Sequence, residues 1–210
     1  MIIAIDGPAA AGKGTLAQRL AAHYCLPYLD TGLLYRLTGR LTEARGLDPD
    51  DPQAAERVAR SLDPVLLADP TLRGHETGEL ASRVAVHAGV RAALLDFQRA
   101  FAARPGGAVL DGRDIGTAVC PGADIKIFVT ASPEVRARRR TEELAAKGRD
   151  VDYRTILAEI SGRDARDSGR AAAPLKAAND AYLLDTSDKD IEAAFRAAVD
   201  IVDQVQGGRG

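Results

Sequence analysis

Cysteine is nearly absent: Cys25 and Cys120 are the only two in 210 residues. Two distant thiols form neither a disulfide framework nor a metal-ligand cluster. The three histidines, His23, His75 and His87, are equally isolated, with no metal spacing and no nucleophile–base pattern, so no protein-held metal site is expected. No apolar run approaches the roughly 20 residues that span a bilayer, and no membrane partner is expected. A charge excess is missing too. The 28 basic and 30 acidic residues leave a formal charge of −2, which removes the global basic footprint of a nucleic-acid-binding protein. The opening run MIIAID has neither the basic n-region nor the cleavage site of a leader, and a cytoplasmic location is expected. Repeats, low-complexity tracts and long linkers are lacking. Lysine is scarce: only Lys13, Lys126, Lys147, Lys176 and Lys189 among the 28 basic residues. The remainder are arginines, the better fork for phosphate, so the places where single arginines stand matter more than their number.

What is present fits one soluble domain, with 46% hydrophobic and 28% charged residues. Short apolar runs alternate with longer helical ones, the pattern of an α/β fold with a parallel sheet. Strands are predicted at Ile2–Ile5, Pro27–Leu29, Ala108–Asp111, Ile125–Thr130 and Tyr182–Leu184. Leu16, Leu20 and Tyr24 recur at helical spacing, and further helices are predicted near Leu33–Ala44, Gln53–Leu62, Gly89–Ala103 and Asp152–Arg170. Asp51 with Pro52, and Ser132 with Pro133, read as helix starts. Ser187 reads as the cap of a last helix with Ile191, Phe195, Val199 and Val202 on its apolar face. Residues 63–80 hold two prolines and two glycines and are predicted to be an irregular insertion with at most one short strand.

The strongest motif is GPAAAGKGT, comprising Gly7, Pro8, Ala9, Ala10, Ala11, Gly12, Lys13, Gly14 and Thr15. It lies between a buried strand and an amphipathic helix, the context of a true phosphate-binding loop. Its glycines let backbone N–H groups surround an anion, and the helix N-terminus adds partial positive charge. Lys13 can reach the β- and γ-phosphates. Gly14 stands where many such loops carry a magnesium-ligating hydroxyl, so Mg2+ is expected to be held through phosphates and water. No guanine-reading NKxD element is present, and ATP is the expected donor.

Three further segments place polar groups where a sheet-bound ligand lies, outside the carboxyl ends of the strands. DTGLLYR, Asp30–Arg36, makes a tight turn, and its Arg36 can hold an acceptor phosphate or simply stand on a helix surface. DGRDIGT, Asp111–Thr117, projects Arg113 and Asp114 from a sharp bend, either toward a ligand or as a salt-bridged turn. On the helix beginning near Asp152, Ile156, Ile160, Arg163, Asp167 and Arg170 fall within about 80° of one another. That stripe passes from apolar to charged, as for a helix running from the core into a polar cleft, although a surface ion-pair ladder has the same spacing. Arg136, Arg139 and Arg140 share a face, beside Arg138, and suit either a lid over the donor or a solvated surface. A further such segment, ELASRVAVHAGVRAAL, offers Ser82 and Arg91, which no spacing singles out.

Together, IAIDGPAAAGKGT, LDTGLLYR, VLDGRDIGT, KIFV and RDARDSGRAAAPLKAANDAYLLDT resemble the bacterial cytidylate kinases over nearly the whole chain. The combination DTG-x-x-YR, DGRD-x-GT and RD-x-RD-x-x-R is far more specific than the phosphate loop alone. The resemblance implies a P-loop three-layer α/β fold with a five-stranded parallel sheet, which transfers phosphate from MgATP to CMP or dCMP. It implies a core of about 1–30, 105–135 and 175–210, an acceptor region of about 31–104 and a lid of about 136–170. Lys13, Arg113 and Arg163 are then the catalytic cations. Arg36 and Arg113 hold the acceptor phosphate beside Thr31 and Tyr35; Ser82, Arg91, Asp114 and Arg170 read cytosine; Arg163 and Asp167 face the ribose. A monomer is expected. The chain departs from the family at Ala10 for glycine, at Thr31 for serine and in a shortened 63–80 stretch. UMP or AMP as acceptor, and a nucleotide-binding regulator without turnover, stay open at this stage.

Overall fold

The apolar run after Met1 becomes β1 (Ile2–Asp6), the middle strand of a five-stranded sheet. It is buried on both faces, as strands of parallel sheets are. Ile3 and Ile5 face Leu16 and Leu20 of α1 (Lys13–His23) together with Ala198 and Val202 of α8 (Ile191–Gly207). Ala4 faces the other way, into a cluster with Leu110 and with Ala102 of α5 (Ala88–Ala102). The result is the expected three-layer α/β architecture. The computed structural model describes residues 1–208.

The remaining strands are β2 (Tyr28–Asp30), β3 (Ala108–Gly112), β4 (Ile125–Thr130) and β5 (Tyr182–Asp185). All pair in parallel, in the order β2-β3-β1-β4-β5. Their carboxyl ends therefore share one edge of the sheet. β2 starts one residue later than predicted, since Pro27 has no N–H and contributes only its carbonyl, to Val109 N at 2.8 Å.

Five more helices surround this sheet: α2 (Thr31–Ala44), α3 (Pro52–Arg60), α4 (His75–Val84), α6 (Pro133–Ala146) and α7 (Tyr153–Ser168). Asp51 and Ser132 cap α3 and α6 as predicted, accepting from Gln53 N and Val135 N. Ser187 does not cap α8. Asp190 does, accepting from Ala193 N at 2.7 Å, because it directly precedes the apolar run. Ser187 Oγ instead accepts from Ser132 N and ties the loop after β5 to the start of α6. The packed face of α8 is Ala194, Ala198 and Val202, with Phe195 and Val199 partly buried against the same cluster; of the predicted face only Ile191, the first residue of the helix, is exposed.

The 63–80 stretch contains no strand. Two Asp-Pro pairs start short 3-10 turns, Pro64–Ala68 and Pro70–Arg73, in which Asp63 and Asp69 accept from Val65 N and Thr71 N. α4 follows at once and lays Leu80 against α2. The approach is so close that a Cβ on Gly39 would stand 2.7 Å from Leu80 Cβ and 2.9 Å from its backbone carbon. Only a residue without a side chain fits there. Gly39→Ala is expected to push α4 off α2 and lower stability by about 1–3 kcal/mol, read as a lower urea midpoint at unchanged slope.

Candidate active site

The phosphate loop leaves β1 against β4. Gly7 has φ 145°, and a Cβ there would lie 1.9 Å from the Val129 carbonyl oxygen. Gly12, at φ 86°, begins α1 without any side-chain cap, which leaves the first-turn N–H groups to an anion. Ala10 holds the left-handed backbone usual for glycine, φ 59°, at a cost of about 1–2 kcal/mol. Its methyl packs on Ala137, Leu144, Ile156 and Ile160 of α6 and α7, an apolar contact that glycine lacks. Lys13 is buried and donates to Pro8 O at 2.9 Å. Burial first, and then repulsion from Arg113, push its ammonium down to about 7, against the pull of Asp111 and Asp30.

A cleft of about 580 Å³ opens over the carboxyl ends of the strands. Lys13, Arg36, Arg113, Arg140 and Arg163 line it, with Asp30 and Asp111. Arg36, on α2, is pinned beneath the start of α4 by donating to Leu72 O, Gly74 O and Thr77 Oγ1. Gly78 makes room for the cations: a Cβ there would meet Arg36 Nη2 at 3.3 Å and Arg163 Nη1 at 3.4 Å. Burial, then Arg113, lowers Arg163 to about 10. Burial, then Asp30, raises Asp111 to about 7, while Asp111 accepts from Tyr28 Oη at 2.7 Å. Burial likewise raises Asp6 to about 6 although it accepts from Ile115 N and Gly116 N, both at 2.7 Å. Those two bonds close the bend that carries Arg113 and Asp114.

Behind the cleft the other motif residues pair with one another. Asp167 is buried, accepts from Arg113 Nε at 2.9 Å, bonds Arg170 and lies 4.0 Å from Arg163 Nε. Burial pushes its carboxyl up, but Arg113, Arg170 and Arg163 outweigh that and hold it low. Arg91 pairs with Asp114, and its guanidinium stands 5.5 Å from the half-buried Tyr35 ring. The α7 stripe does change character along its length: Ile156 and Ile160 pack on α6, and Arg163, Asp167 and Arg170 enter this polar cluster. α7 itself ends at Ser168, with Arg170 just beyond it. Arg163 Nε and Arg170 Nε are buried without a partner, the condition of groups that still need an acceptor. Two candidate hydroxyls are engaged elsewhere. Thr31 Oγ1 donates to Asp111 O at 2.8 Å, and Ser82 Oγ, on α4, accepts from Arg166 Nε at 3.1 Å.

The shared face of Arg136, Arg139 and Arg140 does not form a uniform lid over the donor. Arg140 lines the cleft. Arg136 is buried in α6, and Arg139 donates to the carbonyls of Thr186 and Lys189 and to Thr186 Oγ1. A helical face shows which residues point together, not whether they point outward. The carboxylates Asp6, Asp30 and Asp111 went unassigned in the sequence, although all three stand at the carboxyl ends of the neighbouring strands β1, β2 and β3. Among the described residues no group of three or more His, Cys, Asp or Glu is placed to hold a metal, and no helix is long and apolar enough to cross a membrane.

The profile of the cytidylate kinase family matches residues 3–204. A cytidylate kinase from Xanthobacter autotrophicus is 62% identical over 209 residues, the full length of both chains. One from Rhodopseudomonas palustris is 58% identical over all of this chain and 99% of its own. One from Methylocella silvestris is 61% identical over 97% and 94%. Among solved structures, an uncharacterized protein from Eubacterium ventriosum (TM-score 0.58, 16% identity, 97% and 98% covered) and a sugar kinase from Janibacter (0.52, 14%, 96% and 94%) share the fold. Full-length identity well above half and a family match over nearly every residue agree with the motifs gathered at the cleft: the chain belongs to the cytidylate kinase family.

Proposed function

We propose that this protein transfers the γ-phosphoryl group of MgATP to CMP or dCMP, giving ADP and CDP or dCDP. One observation carries the reading: Lys13, Arg113 and Arg163 converge with Arg36 on a single cleft at the mouth of the phosphate loop. Two polyanions brought together need such a set of cations. An oxygen of the acceptor phosphate attacks the γ-phosphorus while the bond to the β-phosphate oxygen breaks. That oxygen is already ionised at neutral pH, so no general base is required. Catalysis is positioning plus neutralisation of the charge on the phosphoryl group in flight.

The loop amides and Lys13 take the donor, Arg36 and Arg113 the acceptor phosphate beside Tyr35 and Thr31, and Arg163 the transferring group. Mg2+ arrives with ATP. Glycine at position 14 offers no hydroxyl after Lys13, so the ion would be held chiefly through phosphate oxygens and water, with Asp30, Glu79, Asp111, Glu143 and Glu159 as the carboxylates of the cleft. Cytosine offers an amino donor beside ring acceptors. Asp114 suits the amino group, and Ser82, Arg91 and Arg170 suit the acceptors. Asp167 and Arg163 face the ribose. In this reading residues 31–104 form the acceptor region and 136–170 the lid, and one chain carries every group the reaction uses.

ADP release measured with MgATP and CMP, dCMP, UMP or AMP tests the proposal. Strong turnover restricted to CMP and dCMP is expected; turnover with UMP or AMP instead discards the base-reading assignments. Lys13→Ala is expected to lower kcat by about 10²–10³-fold, and near-normal turnover would remove the lysine from the donor site. Arg36→Ala is expected to raise KM for CMP by about 10–100-fold with KM for ATP little changed.

The shifted groups generate a further expectation. Near pH 8 the free protein holds Lys13 mostly neutral and Asp111 mostly ionised, their pKa values both lying at about 7. A bound phosphate chain favours the protonated form of each. ADP binding is therefore expected to take up protons near pH 8, with the uptake fading toward pH 6, where both groups already hold theirs. Calorimetry in two buffers of different ionisation enthalpy reads it, and no net proton exchange at pH 8 refutes the shifts.

A further inference from the structure

A phosphate loop that aims its N–H groups at an anion turns its carbonyls outward, and buried outward carbonyls need donors. Pro8 O has Lys13 Nζ, and Ala11 O has Thr186 Oγ1 at 3.3 Å. Ala9 O, just before the strained Ala10, has Arg136 Nη1 at 3.1 Å. Arg136 is only 3% exposed. Its Nε donates to Ala131 O just past the end of β4, and its two terminal nitrogens grip Asp164 of α7 at 3.1 and 2.6 Å. One guanidinium thus joins the loop, the central sheet and α7.

The neighbour of Asp164 in the chain is Arg163. Arg163 has little anchorage of its own: its Nε lies 4.0 Å from Asp167 and has no hydrogen-bond partner. We propose that Arg136 and Asp164 form a positioning pair that sets the distance between the donor-holding loop and Arg163, the cation for the phosphoryl group in flight. Neither touches substrate. The inference rests on the proposed roles of the loop and Arg163.

The two halves of the pair have separable signatures. Asp164→Asn keeps the shape but releases α7, while Arg136 still holds Ala9 and Ala131. It is expected to lower kcat by about 10–100-fold with both KM values within about twofold, because a displaced cation costs the transition state and not the ground state. Arg136→Lys loses the fork, so KM for ATP is expected to rise by about 3–10-fold as kcat falls. The double variant is expected to be no worse than Arg136→Lys alone. Asp164→Glu, which retains the charge, is expected to recover part of the kcat lost in Asp164→Asn, and it supplies the same comparison should Asp164→Asn not fold. Circular dichroism and the thermal shift caused by ADP establish that each variant is folded and binds the donor nucleotide.

A folded Asp164→Asn with kcat within twofold of wild type overturns the proposal. So do a kcat loss that only matches a reduced fraction of nucleotide-binding protein, and strictly additive effects in the double variant. Absence of CMP turnover in the wild-type protein is a different failure, that of the proposed function, and is read before any variant is made.

Discussion

Lys13, Arg36, Arg113 and Arg163 repel one another, and the cleft holds them together only because carboxylates lie among and behind them. Burial and then Arg113 depress Lys13, and burial, Arg113 and then Arg36 depress Arg163. Asp167 opposes this from behind, bonded to Arg113 and Arg170, while Asp111 and Asp30 oppose it from the strand ends. Buried ion pairs of this kind contribute little net stability, because desolvation cancels most of the attraction. What they supply is a preorganised field that the phosphates of a donor and an acceptor nucleotide complete. The unpartnered Nε atoms of Arg163 and Arg170 mark where that field still lacks acceptors. A site optimised for stability alone would be apolar here; this one holds strain and charge where phosphate is to be received.

The parts of this site that could be read from the sequence are those in which neighbouring residues act together. Gly7–Thr15 is one loop between one strand and one helix, so its role follows from its order. Arg163, Asp167 and Arg170 follow from helical periodicity, since a stripe that turns from isoleucine to arginine has to leave the core. Periodicity failed where direction mattered: Arg136 and Arg140 share a face, yet one is enclosed by Ala9, Ala131 and Asp164 and the other lines the cleft. The Asp-Pro turns of residues 63–74 are irregular as expected, but α4 was missed for another reason: it owes its place to the contact between Leu80 and Gly39, a partner about 40 residues away that no local rule can see. At the start of α8, Ser187 and Asp190 are equally good caps by type. The helix starts where the apolar run does, directly after Asp190, and Ser187 Oγ accepts from Ser132 N instead.

The strengths of the contacts around the cleft also indicate how it opens. α4 and α7 meet across its mouth through His75 and Glu159 at 3.4 Å, and through Arg166, which donates to Ser82 Oγ at 3.1 Å and pairs with Glu79 at 2.8 Å. The side chains of the second pair are 42% and 39% exposed, and such pairs contribute about 0–1 kcal/mol each. The link between α7 and the phosphate loop is of another order. Arg136 is enclosed, and separating it from Asp164 would leave a buried charge unpaired, at about 3–5 kcal/mol. α6 and α7 also share their own apolar cluster, which includes Ala10 of the loop. The least costly opening therefore parts α4 from α7 and leaves α7 fixed to the loop.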